Sequence, residues 1–263
     1  MNPIFNIVAG QLRWGFLYRY YNYKLGVEMK FFLILAIYFI TVFSSSSAQG
    51  IFEISVGAGY STSSRIYPYS NTSDYDLREI EIGLGSRVFP HLAVSYDLTE
   101  EIAGVISVEY LRKETQYYGQ TVDSDQGTIY IPVKDGYNFV PVELTVEYRL
   151  PFSSENFRVN IGGGAGLYFY NSLREVAGIS LSSGGSKVSY GIHVLTGLEY
   201  YLNRDLSFYF TMKFRDPEVE FNGEYESLNG SYEGKTVSLG KKDFYQKLSL
   251  EGSVFLLGVK YGL

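Results

Sequence analysis

The chain has 263 residues, with 28 glycines, 26 tyrosines, 18 phenylalanines, no cysteine and a formal net charge of −6. Apolar residues make up 46 % of it and charged residues 19 %, which excludes a disordered chain, a collagen and a disulfide scaffold. The mean hydropathy of −0.04, with apolar residues rarely consecutive, excludes a polytopic helical membrane protein.

In chain order, the first element is a leader. From Met29 the sequence runs MKFFLILAIYFITVFSSSSAQG, where Lys30 supplies positive charge, residues 31–43 an apolar core, and Ser46, Ser47 and Ala48 the small residues of a cleavage site. This is the pattern of a secretory signal peptide, and its core is shorter than the about 20 apolar residues that a spanning helix needs. Signal peptides normally begin at the initiator, so residues 1–28 are expected to be an over-extended reading frame, or else a long leading region carrying Arg13, Arg19 and Lys24. The expected organisation is therefore 1–28 as extension, 29–48 as signal peptide and 49–263 as one mature domain. The absence of cysteine fits export but equally fits a cytosolic chain. The mature part is acidic and shows no basic cluster, so no nucleic-acid partner is expected.

From residue 52 onward the hydropathy has a period of two. Phe52, Ile54, Val56, Ala58 and Tyr60 alternate with Glu53, Ser55, Gly57 and Gly59, as a strand with unlike faces requires. The alternation recurs over 80–98, 102–110, 140–150, 157–169, 188–202, 206–214 and 248–263, which gives eight predicted strands. A change of apolar parity between Leu248 and Leu250 on one side and 254–257 on the other predicts a bulge near Gly252. The connections alternate in length: 99–101, 152–156 and 203–205 are tight, whereas 61–79, 119–136, 171–187 and 216–243 are long. Short turns at one end and long loops at the other are the signature of a bacterial outer-membrane barrel, with turns in the periplasm and loops outside. A sheet in lipid cannot leave an edge unpaired, because each bare peptide group costs several kcal/mol there. The predicted fold is all-β: an eight-stranded antiparallel up-and-down transmembrane β-barrel in the bacterial outer membrane, touching its lipid and lipopolysaccharide. Tyr60, Tyr96, Tyr110, Tyr148 and Tyr200 are placed for interfacial girdles.

The opposite face of the predicted strands carries Glu53, Glu81, Arg87, Asp97, Glu109, Lys113, Glu143, Glu147, Arg149, Arg158, Glu199, Lys213, Arg215, Lys247 and Glu251, eight acids against seven bases. An eight-stranded barrel has an interior just wide enough for side chains, so these residues are expected to form a salt-bridged plug without an open pore. Its expected structural core is Arg87, Glu109, Glu147, Arg149, Arg158, Glu199, Lys213 and Glu251. A three-residue turn sets His91 across from Glu109. A turn centred near Ser153 sets Glu147 beside Asn160 and Arg149 against Arg158.

Motifs for chemistry are sparse. His91 and His193 belong to no HExxH or Cys/His cluster, and the Gly162–Gly166 tract has no following Lys-Ser/Thr. Its glycines are expected to make room for Tyr168 and Tyr170 or to let the strands curve. Residues 123–127 alternate acids but lack the later glutamate of a calcium loop. No catalytic residue, metal or cofactor is expected. The loops instead carry aromatics, chiefly Tyr67, Tyr69, Tyr117, Tyr118, Tyr225 and Tyr232. Exposed tyrosines among acids suit a sugar, a partner protein or cation-bridged lipopolysaccharide, or else merely solvate the hairpins.

Strands such as FRVNIGGGAGLYFY and YGIHVLTGLEYYLNRDLSFYF, and the closing GVKYGL, resemble the small outer-membrane barrels that include the OmpA transmembrane domain, OmpX and OmpW, in the glycine- and tyrosine-rich versions of Bacteroidetes-type bacteria, as does Ala48-Gln49. The resemblance implies insertion by the barrel-assembly machinery, although this chain ends on Leu263 with Tyr261 two places earlier, where the family usually ends on an aromatic. It implies a non-enzymatic barrel with a structural or surface-interaction role through long extracellular loops. The alternative is a narrow channel for small or amphipathic solutes, of the OmpW kind, for which Phe89, Val105 and Leu195 on the lumen side are the motive. A lipid-modifying enzyme is a third reading. The similar lipid A deacylases use a His, a Ser two residues later and an acid, whereas His91 is followed by Leu92 and Ala93, and His193 by Val194 and Leu195.

Overall fold

In the computed structural model, which describes residues 52–152, 154, 156–182 and 187–263, the period-two segments become long antiparallel strands. The expected extension (1–28) and signal peptide (29–48) lie outside the described residues. The strands are β1 (Phe52–Ser61), β2 (Arg65–Tyr67), β3 (Ile82–Gly83), β4 (Arg87–Asp97), β5 (Ile102–Glu109), β6 (Leu111–Ser124), β7 (Gly127–Arg149), β8 (Phe157–Val176), β9 (Ile179–Ser180), β10 (Lys187–Tyr201), β11 (Leu206–Arg215), β12 (Glu218–Glu224), β13 (Asn229–Tyr232), β14 (Lys235–Ser238), β15 (Asp243–Ser249) and β16 (Gly252–Gly262). One short helix, α1 (Tyr75–Arg78), starts where the Asp74 side chain accepts from the amides of Asp76 and Leu77, a normal N-cap.

Neighbours in sequence pair in space. β1 pairs with β4, β4 with β5, β5 and β6 with β7, β7 with β8, β8 with β10, β10 with β11, and β11 with β16. β16 then returns to β1 from Glu53↔Gly262 to Ser61↔Val254, so the ladder closes into an eight-stave, up-and-down barrel in which β5–β6, β11–β12 and β15–β16 are each one stave in two pieces. The tight turns are held by side chains: Thr99 Oγ1 accepts from the amides of Glu101 and Ile102, and Asn203 Oδ1 from those of Asp205 and Leu206.

Which face is apolar changes along the staves. Nearer the turns the outside carries Leu144, Val146, Ile192, Val194, Phe208, Phe210, Leu257 and Val259, all exposed, while Glu143, Thr145, His193, Glu199 and Lys213 are buried inside. Such a belt is stable only against lipid. Tyr60, Tyr110, Tyr148 and Tyr200 are exposed at its edges, as girdle residues are. Towards the loop end the pattern inverts: Ile131, Val133, Tyr137, Val219, Phe221, Leu248 and Leu250 point inward into a core, and outward positions such as Arg112, Glu114 and Lys134 are charged.

This inversion accounts for the corrections to the sequence reading. Residues 119–136 are no loop, since β6 and β7 continue as a hairpin to Ser124 and from Gly127. Likewise β8 runs on to Val176, and 216–243 contains β12, the β13–β14 hairpin and the start of β15. The predicted strand 80–98 begins only at Arg87, because Ile82–Gly83 joins β2, β15 and β12 in a separate four-stranded sheet. The expected bulge near Gly252 reflects a change of surroundings: Leu248, Leu250, Val254 and Leu256 are all buried and share one parity, with Gly252 at φ +151° after the break between β15 and β16. The turn between β7 and β8 is longer than predicted, so Arg149 faces Asn160 and Glu147 faces Gly162. The like-charge Arg149–Arg158 contact is thereby avoided. His91 does pair with Glu109.

Candidate functional site

Three polar layers and one apolar layer fill the barrel. In the middle, Lys213 Nζ donates to Glu109 Oε1 at 2.6 Å and to Glu143 Oε2 at 2.5 Å, and Arg215 Nη1 donates to Glu109 Oε2 at 2.7 Å and to Glu143 Oε1 at 3.3 Å. Two acids, one each from β5 and β7, and two bases from β11 thus close a neutral ring across the lumen. The glycine tract of β8 makes this possible, because Gly162, Gly164 and Gly166 point inward beside β7, and a Cβ on Gly166 would press on Glu143 at 2.8 Å. Tyr168 lies next to the same glycine and donates to Glu143 Oε1 at 3.3 Å. Arg215 also lies over the rings of Phe89 and Phe139, at 6.0 and 5.8 Å.

The layer nearer the turns holds Lys260 between Glu199 (3.2 Å) and Glu53 (3.4 Å). Ser95 and Ser207 donate to those two carboxylates. Arg149 pairs with Asp97, and Arg158, which faces Glu199 across the ladder, donates to Tyr201. Between this layer and the ring lies a cavity of about 50 Å³ bordered by Val105, Glu147, Asn160, Leu195 and Lys213, and a second of about 60 Å³ lies at the turn end, bordered by Arg158, Tyr201, Arg204, Asp205 and Lys260. His91 hydrogen-bonds with Tyr209 at 3.0 Å and His193 with Thr145 at 2.8 Å.

Of the expected plug residues, Glu109, Lys213 and Glu199 are buried in these layers, and Glu147, Arg149 and Arg158 line them half-buried. Arg87 and Glu251 do not belong: both are exposed at the loop-end rim, where the parity of the apolar set has already switched. Glu81 and Lys247 sit there too, paired with Arg65 at 3.2 Å and with Glu218 at 2.6 Å. Lys260 was missed, although its place two residues before Gly262 on the inward parity of β16 marks it.

Above the ring the lumen is packed with aromatics. Phe139 stacks on Tyr168 with centroids 5.4 Å apart, and Tyr170 meets Phe221 edge-on at 5.9 Å. Higher still is a second buried ion pair that the sequence reading placed in loops. Arg174 Nη1 donates to Asp135 Oδ2 at 2.6 Å, its Nε to Tyr225 Oη at 2.8 Å and its Nη2 to Gln120 Oε1 at 3.2 Å, and it lies 4.4 Å from the Phe244 ring centre. Burial acts to lower the Arg174 pKa, but Asp135, Tyr225 and Tyr117 outweigh it and the net shift is upward. Tyr117 donates to the same Asp135 carboxylate at 2.5 Å; burial first, then Asp135, raise its phenol well above the ordinary range.

The loop tyrosines therefore divide. Tyr117 and Tyr225 are inward-facing core groups rather than exposed binding residues, and burial raises the Tyr225 pKa as well. Tyr67 donates to Glu81 and is packed by Lys247. Tyr69 and Tyr118 are exposed, and Tyr232 is half-buried against the core. A spectrophotometric titration checks this division: Tyr117→Phe should remove an absorbance step lying above the about pH 10 of a free tyrosine, and loss of a step at the ordinary pH would contradict it. Since the folded phenol has the raised pKa, its contribution to stability is complete below about pH 10 and is lost as pH rises towards the folded value.

No protein-family model and no curated protein matches the sequence. Among solved structures, the outer membrane protein OprG from Pseudomonas aeruginosa is similar over 81 % of this chain and 96 % of its own, with a TM-score of 0.56 and 13 % identity. The outer membrane protease OmpT from Escherichia coli (81 % and 97 % covered, TM-score 0.46, 9 % identity) and the E. coli outer membrane protein W (83 % and 100 % covered, TM-score 0.42, 16 % identity) are more distant. The closed ladder, the lipid-compatible belt and the likeness to OprG make this chain a small barrel of the bacterial outer-membrane type.

Proposed function

We propose that this chain is a non-conducting, non-enzymatic outer-membrane barrel that acts through its extracellular section. The observation that carries the reading is the ring of Glu109, Lys213, Glu143 and Arg215, roofed by Phe139, Tyr168 and Tyr170. An ion entering the lumen would have to displace paired buried charges, at a cost of several kcal/mol. The loop end, by contrast, is a built structure with its own apolar core and its own buried ion pair, which is more than solvated hairpins need.

The channel reading is supported only by the two cavities on the turn side; Val105 and Leu195 give apolar lining to the first, which ends at Lys213. The enzymatic reading lacks its constellation, since among the described residues each histidine is bonded to a phenol or a threonine hydroxyl rather than set in a Ser-His-acid line. Proteoliposomes carrying the mature chain should swell in arabinose or glycine no faster than empty liposomes. Swelling that scales with protein content would favour the channel.

A further inference from the structure

We propose that the outward face of the β6–β7 hairpin binds a neutral sugar chain, an inference that rests on the surface-interaction reading and gives it a ligand class. Three loop regions meet here. Tyr118 and Tyr130 belong to the hairpin, and Tyr69, from the segment after β2, donates its hydroxyl to Gly119 O at 3.4 Å. β14 docks the third region by pairing with β6 at Val237↔Ser124 and Ser238↔Asp123.

Tyr118 and Tyr130 are 64 % and 59 % exposed, with ring planes 27° apart and centroids 6.2 Å apart. They are nevertheless held: the Tyr130 hydroxyl donates to the Tyr118 carbonyl at 2.7 Å. The ladder shifts register between Tyr118 and Gln120, so that Tyr117 faces in and Tyr118 faces out while Gln120 and Val122 still face the core. The two rings therefore lie bare on a rigid sheet.

Lipid does not cover them. At about 3.3 Å per residue and a strand tilt of about 40°, the run from the girdle residue Tyr110 to Tyr118 carries the platform roughly 20 Å above the belt. The charged group Arg112, Glu114 and Lys134 lies between, with Glu114 bonded to Arg112 at 2.5 Å and to Lys134 at 3.1 Å.

The groups beside the rings decide the ligand class. A pyranose presents a C–H face that stacks on an aromatic ring and a rim of hydroxyls that needs amide, hydroxyl and carboxylate partners. Gln116, Thr121, Asp123 and Thr128 are exposed on the same outward face as Tyr118 and Tyr130. Asp123, Asp125 and Glu233 outnumber Lys235 at the fringe, and Lys134, across from Gln116, is already paired with Glu114; this acidic balance repels sulfated or uronate-rich chains.

The test uses the mature chain in nanodiscs, with folding verified by the different migration of unheated and boiled protein, and immobilised cellohexaose, maltoheptaose, chitohexaose and heparin as probes. At least one of the three uncharged oligosaccharides should bind. Tyr118→Ala and Tyr130→Ala should each weaken that binding about tenfold or more, Tyr130→Phe should retain most of it, and Tyr245→Ala, an exposed tyrosine on β15, should leave it unchanged. Binding to heparin alone, binding to none of the probes, or binding that ignores both alanine variants would overturn the proposal. A barrel that is sealed yet binds no sugar sinks this inference only, whereas solute flux through the barrel sinks the reading beneath it.

Discussion

Lys213→Met is expected to destabilise the barrel by about 3–5 kcal/mol. The lysine is 2 % exposed and holds two carboxylates, Glu109 and Glu143, at 2.6 and 2.5 Å. Without it Arg215 is left to neutralise both across a buried space. The loss comes less from forfeited attraction than from stranding a charge where water does not reach. It follows that Glu143→Gln in the Lys213→Met background should cost little more, and in a double-mutant cycle the two changes should couple by more than about 1 kcal/mol. Urea unfolding in lipid vesicles, followed by the migration of folded and unfolded bands, measures both. A loss below about 1 kcal/mol for Lys213→Met would mean that the ring is solvated and holds nothing together.

Arg174→Ala should have an equally large but local effect. This guanidinium ties the β6–β7 hairpin (Gln120, Asp135) to β8 and to the segment after β12 (Tyr225), and its removal leaves the fully buried Asp135 without its cation. The penalty, again of order 3–5 kcal/mol, falls on the loop end, where no lipid belt supports the fold. Trypsin should then cut at Lys113, Lys134, Lys235, Lys241 or Lys242 in folded barrels that still migrate as folded. Unchanged resistance to trypsin would show that the apolar core around Val219, Phe221 and Leu248 holds this section without the ion pair.

The barrel was readable because lipid imposes a strict rule: apolar residues outside, polar ones inside, at a period of two. Eight staves, the short turns and the His91–Glu109 pairing all follow from it. The same rule misled where its premise stopped holding. Ile129, Ile131 and Val133 alternate as cleanly as Leu144 and Val146, but on the opposite parity, because above the membrane the outside is water and the inside is a core. Read for lipid, that segment looked like loop; read for water, it is strand. Tyr117, Asp135, Arg174 and Tyr225 were lost to the candidate core for that reason, and Arg87 and Glu251 were gained by it. A switch of apolar parity within one stave, as between Val133 and Leu144, is thus itself a sequence mark of the membrane surface.

The central claim, that the lumen is closed, is tested most directly by single-channel recording of refolded residues 49–263 in a planar bilayer, after their folded migration has been checked. The ring of Glu109, Lys213, Glu143 and Arg215 beneath its aromatic roof predicts no discrete conductance steps. Reproducible steps from folded protein, altered by Lys213→Met, would contradict it and place the function inside the barrel rather than above it.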